Sequence, residues 1–286
     1  MDNTRESEFY ATPGPMTDLS SVPAAVLDGL PNDPAGLMKV VRGCVVSDLM
    51  LTQIYQLAVP EGREHEAQIR PAAEMVRRCE ELVSAPLVEP REPQQRFLGN
   101  CRHFATLSCA LFRRAGIPTR VRAGFAGYFE PSVWTDHWII EYRRPDDARW
   151  VRVDPQLDDE WLAKRVPGTT SESLAAAMYL SGAEAWQRCR RGDFDPDRFN
   201  MGGNNWGIGE IRGSVLYDLA ALNQDEMLPW DCWARMEDAY KHKTDEAYDA
   251  MLDEVTEVTI SGDLDDVRSL YQRNEDLKVP ASMLPS

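Results

Sequence analysis

The stretch GNCRHFATLSCALFRRAGIP, residues 99–118, carries the reading of the whole chain. Asn100 is a helix N-cap residue, and Phe104, Leu107, Leu111 and Phe112 recur at helical spacing on one side. Arg113 and Arg114 sit in the last turn, Gly116 at the C′ position, and Pro118 stops the helix. The helix therefore opens on Cys101. A thiol there meets the positive end of the helix dipole, which favours the thiolate. Gly99, two residues earlier, leaves room for a substrate backbone to approach.

Three strand candidates follow: TRVRAGFAGYF (119–129), DHWIIEYRR (136–144) and RWVRVDP (149–155). PDDA (145–148) between the last two has turn composition. In a hairpin closed there, residues whose numbers sum to about 291–293 face each other. His137 and Asp154 meet that condition, so a base and a group to orient it stand across from each other. Helix, strand, hairpin is an α+β order with an antiparallel sheet.

Working outward, residues 1–30 are rich in Pro, Ser and Thr without periodicity and read as a flexible N-terminal arm. Asp33-Pro34 has the form of a cap followed by proline in the first turn, ahead of Leu37, Val40, Val41 and Cys44. A second amphipathic helix is expected over 71–83, and the proline-containing segment 84–100 reads as an extended approach to Cys101. Residues 31–165 make up the expected core. Beyond it, 166–286 holds 11 basic against 23 acidic residues, with helices expected over 171–191, 210–223, 229–241, 244–256 and 263–273. That acidic helical region either packs on the core or forms a second domain.

The chain has 286 residues with 31 Lys and Arg against 47 Asp and Glu, a net charge of −16. Such a field repels phosphate backbones and anionic lipid, which argues against nucleic-acid and membrane partners. No run is long and apolar enough to span a bilayer, and the first residues lack the charge and apolar pattern of an export signal. Six cysteines without framework spacing read as thiols of a cytoplasmic protein. There is no CxxC and no histidine pair at ligand spacing, so neither a metal nor a cofactor is expected.

GNCRHFATLSCALFRRAGIPTRVRAGF, then DHWIIEY, then WVRVDP, resembles the core of transglutaminase-like proteins, a cysteine-proteinase-type fold with a Cys-His-Asp triad. The resemblance covers residues 97–156. It implies Cys101 as nucleophile, His137 as general base and acid, and Asp154 as the residue that orients the imidazole. The implied activity is acyl chemistry on an amide, ester or thioester of a peptide-like or small-molecule substrate. The acyl group then passes to water, or to an amine in an amide-forming transferase. A non-catalytic binding module on the same fold is the competing reading, with the acidic C-terminal half as surface for a carrier or protein partner. Two departures stand out: Trp138 follows the His where the family often has Ala, and no Trp precedes Cys101. The Cys101 N–H would then share the oxyanion with a side chain such as Gln53, Gln56, Gln94 or Gln95.

Other residues carry weaker signals. Asn100, Trp134 and Trp138 flank the expected triad. In GGNNWGIGEIRG (202–213) the polar and aromatic residues Asn204, Asn205 and Trp206 suit a substrate-reading lid, and Arg212 suits a substrate carboxylate. Asp193, Asp195 and Asp197 have the spacing of an EF-hand loop but lack its Gly and Glu, so a turn is expected. Cys44, Cys79 and Cys109 read as buried filler and His103 as a packing or surface residue, while His65 and His242 read as solvated.

Overall fold

The computed structural model describes residues 3–144, 149–158, 161, 170, 174, 176–202 and 205–285. Its first helix, α1 (Asn3–Ala11), falls where an arm was expected. Tyr10 is buried and donates to the Leu222 carbonyl at 3.0 Å, Met16 is buried, and the Ala72 N–H bonds the Met16 carbonyl at 2.8 Å. Residues 3–30 are thus packed against the rest of the described chain, because two large side chains in a polar stretch find a core to enter. Helix α2 (Pro34–Cys44) starts as its sequence demands, with the Asp33 carboxylate accepting from the Gly36 N–H at 2.8 Å. It runs into β1 (Val45–Val46), and α3 (Ala72–Leu82) occupies the second expected helix. The extended approach ends in β2 (Phe97–Leu98), which pairs in parallel with β1.

Helix α4 (Cys101–Arg114) is buried from Arg102 to Arg113, including the side that is polar in sequence. The Arg102 guanidinium donates to the carbonyls of Glu226 and Arg70, and that of Arg113 to the carbonyl of Tyr10 and the Thr119 carbonyl. These carbonyls, with the Thr17 hydroxyl and the Glu226 carboxylate near Arg113, take up most of the buried donors, so a helix amphipathic by sequence becomes central.

A six-stranded sheet lies beside it. Strands β3 (Thr119–Ala126), β4 (Trp134–Arg143) and β5 (Trp150–Val153) are consecutive and antiparallel. Strand β6 (Tyr179–Ser181) adds to β3, and β7 (Phe199–Gly202) with β8 (Asn205–Trp206) adds to β4. The expectation of a wholly antiparallel sheet needs correcting, since β7 pairs with β4 in parallel, Trp134 opposite Phe199. The chain between β5 and β7 is long enough for the crossover that parallel pairing requires. Both β5 and β7 dock on the β4 edge that β3 leaves free. Their registers cover residues 140–143 and 134–135, so among the described residues 136–139 have no strand on that side.

The region 166–286 is not wholly helical, because it supplies β6, β7 and β8. Of the helix expected over 171–191, residues Gly182–Arg190 form α5, and 179–181 pair with β3 instead; 171–173 and 175 lie outside the described residues, as does the turn expected at 145–148. Helix α6 (Ile208–Leu222) crosses the sheet. Only α7 (Met236–Tyr240) forms within 229–241, preceded by Ala234 at φ 48°. Helix α8 (Glu246–Ser261) ends on Gly262 at φ 71°, and α9 (Leu264–Arg273) begins on Asp263. One contiguous apolar core includes side chains from Tyr10 to Val279. Among the described residues no helix is long and apolar enough to cross a membrane.

Candidate active site

Cys101 owes its place to the short β1–β2 ladder. The Gly99 N–H donates to the Val46 carbonyl at 2.9 Å, and the Leu98 N–H donates to the buried Glu66 carboxylate at 2.7 Å. Arg63 and Arg78 hold that carboxylate in turn. A side chain at Gly99 would put its Cβ 2.9 Å from His103 Cβ and 3.0 Å from Phe97 Cε1, so glycine is needed for the chain to enter α4 here. Asn100 caps the helix. Its side-chain oxygen accepts from the Arg102 N–H at 3.1 Å, and its carbonyl accepts from the His103 and Phe104 N–H groups. Among the described residues none accepts from the Cys101 N–H, which is the donor left over at the helix start.

His103 completes the cap. Its Nδ1 accepts from the Asn100 N–H at 3.1 Å, and its Nε2 donates to the Ile69 carbonyl at 3.1 Å. Burial, helped by the neighbouring Arg102 charge, pushes its pKa down to about 3, so it is a neutral structural histidine.

His137 lies on the part of β4 that pairs with no other described strand on its second edge, and it is 2% exposed. Its Nε2 is 2.7 Å from Asp154 Oδ2. The β4–β5 register pairs Ile140 with Val153, so Asp154 falls one step past the last pair, level with Ile139 on the face that His137 shares. The bond therefore runs diagonally rather than straight across. With Nε2 committed to Asp154, Nδ1 is the ring nitrogen left, and the Cys101 sulfur lies near enough to the imidazole to favour its charged form.

The electrostatics follow from this geometry. Burial alone would drive proton and charge off His137; the Asp154 carboxylate and then the Cys101 sulfur overcome it and raise the imidazole to about 10. For Asp154, burial favours the neutral acid, but the His137 charge and hydrogen bonds from His137, Tyr128 and the Gln156 N–H hold it below the usual carboxylate range. The resting pair is imidazolium and carboxylate.

Two residues that the motif did not single out complete the site. The Tyr128 hydroxyl donates to Asp154 Oδ2 at 2.6 Å, and the Phe129 ring meets the imidazole edge-on at 4.9 Å. Trp161 packs on both rings at 6.1 and 5.6 Å. This aromatic cover keeps water from the imidazolium–carboxylate pair. The only signal for it in the sequence is an aromatic doublet just past a strand. The Tyr179 hydroxyl adds a tie to the His137 carbonyl at 3.3 Å.

Cys101, His137 and Asp154 are thus brought together, and several other expected residues are not at the site. Asn100 is occupied as a cap. Trp138 is fully buried against Tyr217 and Arg212 is bound to Asp249, so neither is placed to read a substrate. Trp134 lies stacked over Phe199 with its ring centroid 6.0 Å away. Asn205 and Trp206 are exposed on β8, while Asn204 lies outside the described residues. Gln94 donates to the Ala58 carbonyl, and Gln53 and Gln56 are exposed on the turn after β1. Asp195 caps the turn at Pro196–Arg198, and among the described residues no group of three or more His, Cys, Asp or Glu is arranged to hold a metal.

Residues 75–155 match the family model of the transglutaminase-like superfamily. The match contains all three residues of the constellation and reaches back into α3. Searches of curated proteins and of solved structures find no match. Cysteine-dependent acyl chemistry is common in that superfamily.

Proposed function

We propose that the protein carries out acyl chemistry through a thioester on Cys101, hydrolysing or transferring an amide, ester or thioester of a peptide-like or small-molecule substrate. The observation that carries this reading is the buried His137 held at 2.7 Å by Asp154, with the Cys101 sulfur near enough to favour the charged imidazole. Strongly shifted ionisable groups held by a specific charge partner cluster at functional sites, and this pair sits beside a thiol at a helix start.

In this reading Cys101 Sγ, its proton held by His137 Nδ1, attacks the carbonyl carbon. The oxygen that gains charge meets the unpartnered Cys101 N–H at the α4 terminus, where the helix dipole also favours an anion. Collapse breaks the bond to the leaving group, which takes the proton from His137 and departs. Neutral His137 then draws a proton from the acceptor, water or an amine, which attacks the thioester and frees Cys101. Asp154 and Tyr128 keep the ring in one orientation throughout. Six free thiols support a reducing, cytoplasmic setting, where a narrow substrate suits the cell better than general proteolysis.

Site-resolved alkylation tests the reading. Iodoacetamide should modify Cys101 ahead of the other cysteines, and His137→Ala should slow that modification by about a hundredfold, the lower range for removing a positioned base. An accessible Cys101 indifferent to His137→Ala would favour the binding module.

A further inference from the structure

Asn100 stands half-buried between β2 and α4 with almost every hydrogen-bonding group committed. Its N–H donates to His103 Nδ1 at 3.1 Å, and its carbonyl accepts from the His103 and Phe104 N–H groups at 2.9 and 3.2 Å. Its side-chain oxygen accepts from the Arg102 N–H at 3.1 Å. That N–H is a fixed donor, so the carboxamide atom it meets is the oxygen; turned over, the side chain would set donor against donor. Capping therefore occupies only the oxygen. The Asn100 NH2 has no partner among the described residues, and the bonds through the rest of the residue hold it at the start of the helix that Cys101 opens. One peptide bond away, the Cys101 N–H also lacks an acceptor among the described residues. Other side-chain donors are engaged or face elsewhere. Gln94 is on the Ala58 carbonyl, and Gln53, Gln56 and Gln95 are exposed. Trp138 Nε1 is unpartnered but fully buried on a ring that packs against Tyr217.

We propose that Asn100 is a catalytic residue whose side-chain NH2 joins the Cys101 N–H in holding the substrate oxygen that gains charge when Cys101 Sγ attacks. The reading rests on the thioester at Cys101. As sulfur bonds the carbonyl carbon, the π pair of the C=O moves onto oxygen; on collapse it returns, and the leaving group departs with the proton from His137. Asn100 donates a hydrogen bond across both steps and transfers no proton of its own. A donor fixed before the reaction needs no reorganisation as the charge develops, and the helix dipole favours the same charge at the same place. Serine or aspartate serves a helix cap as well as asparagine does, so the cap alone gives no reason for an amide here. The oxyanion gives one.

Two reagents separate this role from capping, each read at Cys101 by peptide mass spectrometry. An activated acetyl ester is attacked at a carbonyl and builds the oxyanion. Dithiodipyridine is attacked at sulfur, forms a mixed disulfide with release of thiopyridine, and builds none. Asn100→Ser and Asn100→Asp both keep an oxygen for the Arg102 N–H and both lack the NH2. In each, acetylation should slow by about a hundredfold or more, the cost of losing one such donor. In Asn100→Ser, disulfide exchange should hold its wild-type rate, which also reports that the helix start is intact. Asn100→Asp adds a negative charge beside the thiolate, so exchange slows there too, and acetylation should slow much further. A ratio of acetylation to exchange that stays at the wild-type value in either variant overturns the assignment, whether both rates hold or both fall. A wild-type Cys101 that exchanges but takes no acetyl group refutes the thioester reading itself.

Discussion

Asp154→Asn removes one charge from a fully buried pair, and its effect on stability should depend on pH in a way that a simple packing defect cannot imitate. His137 is raised from its ordinary 6.5 to about 10, against burial, chiefly by Asp154. A group raised on folding stabilises the folded state fully below its unfolded value and loses that contribution as pH climbs through the folded value. For His137 the contribution is complete below about pH 6.5 and gone above about pH 10. At pH 7 it amounts to on the order of 4 kcal/mol, at about 1.4 kcal/mol per pH unit. Asparagine can still accept a hydrogen bond, so the loss should be on the order of 2–4 kcal/mol near neutrality. Urea unfolding of wild type and variant at pH 6.5, 8, 9.5 and 10.5 gives the difference directly. It should be largest at the low end and shrink towards zero past pH 10. A difference that stays constant from pH 6.5 to 10.5 would refute the assignment of a buried imidazolium held by Asp154. So would a His137 ring that titrates near 6.5 by NMR in the wild-type protein.

Two further outcomes follow from the same geometry. Tyr128→Phe deletes the 2.6 Å hydrogen bond to Asp154 without opening a cavity, which should cost about 1–3 kcal/mol and raise the pH at which Asp154 takes up its proton; the acid limb of the Cys101 alkylation profile should move up, and an unmoved limb would count against Tyr128 as a positioning residue. Gly124→Ala would place a Cβ 2.1 Å from the Leu180 carbonyl oxygen, directly opposite His137 in the sheet; thermal unfolding should show a loss of about 2 kcal/mol or more, and a variant as stable as wild type would mean that β6 does not dock there.

How much of this was legible in sequence follows from where each signal lies. Helix α4 is announced by residues within or next to it: Asn100 before it, Gly116 and Pro118 after it, and apolar spacing between. The grouping of Cys101, His137 and Asp154 follows because they sit at a helix start, inside one strand and just past the end of the next, places set by local pattern and by a hairpin register readable within two residues. The burial of the polar side of α4 is not local. Arg102 and Arg113 find acceptors at Glu226 and Tyr10, more than a hundred residues away, and no periodicity encodes a carbonyl. The same applies to β6 and β7. Tyr179-Leu180-Ser181 is too short to declare itself a strand until β3 offers an edge, and Phe199 pairs with Trp134 only after a long crossover. Trp138 and Arg212 looked chemically useful by residue type, but burial against Tyr217 and the ion pair with Asp249 account for them. Tyr128 shows the reverse, since its value lies in one hydrogen bond to a residue 26 positions on.

A covalent acyl group at Cys101 is what the proposed function requires. Incubating the protein with an activated acetyl ester, quenching in acid and mapping the adduct by peptide mass spectrometry measures that directly. One acetyl group should appear on Cys101, decay on further incubation, and be absent after Cys101→Ala and much slower to form after His137→Ala. Ester turnover that continues undiminished in Cys101→Ala, or acetyl groups spread over the other cysteines with Cys101 unmodified, would contradict it.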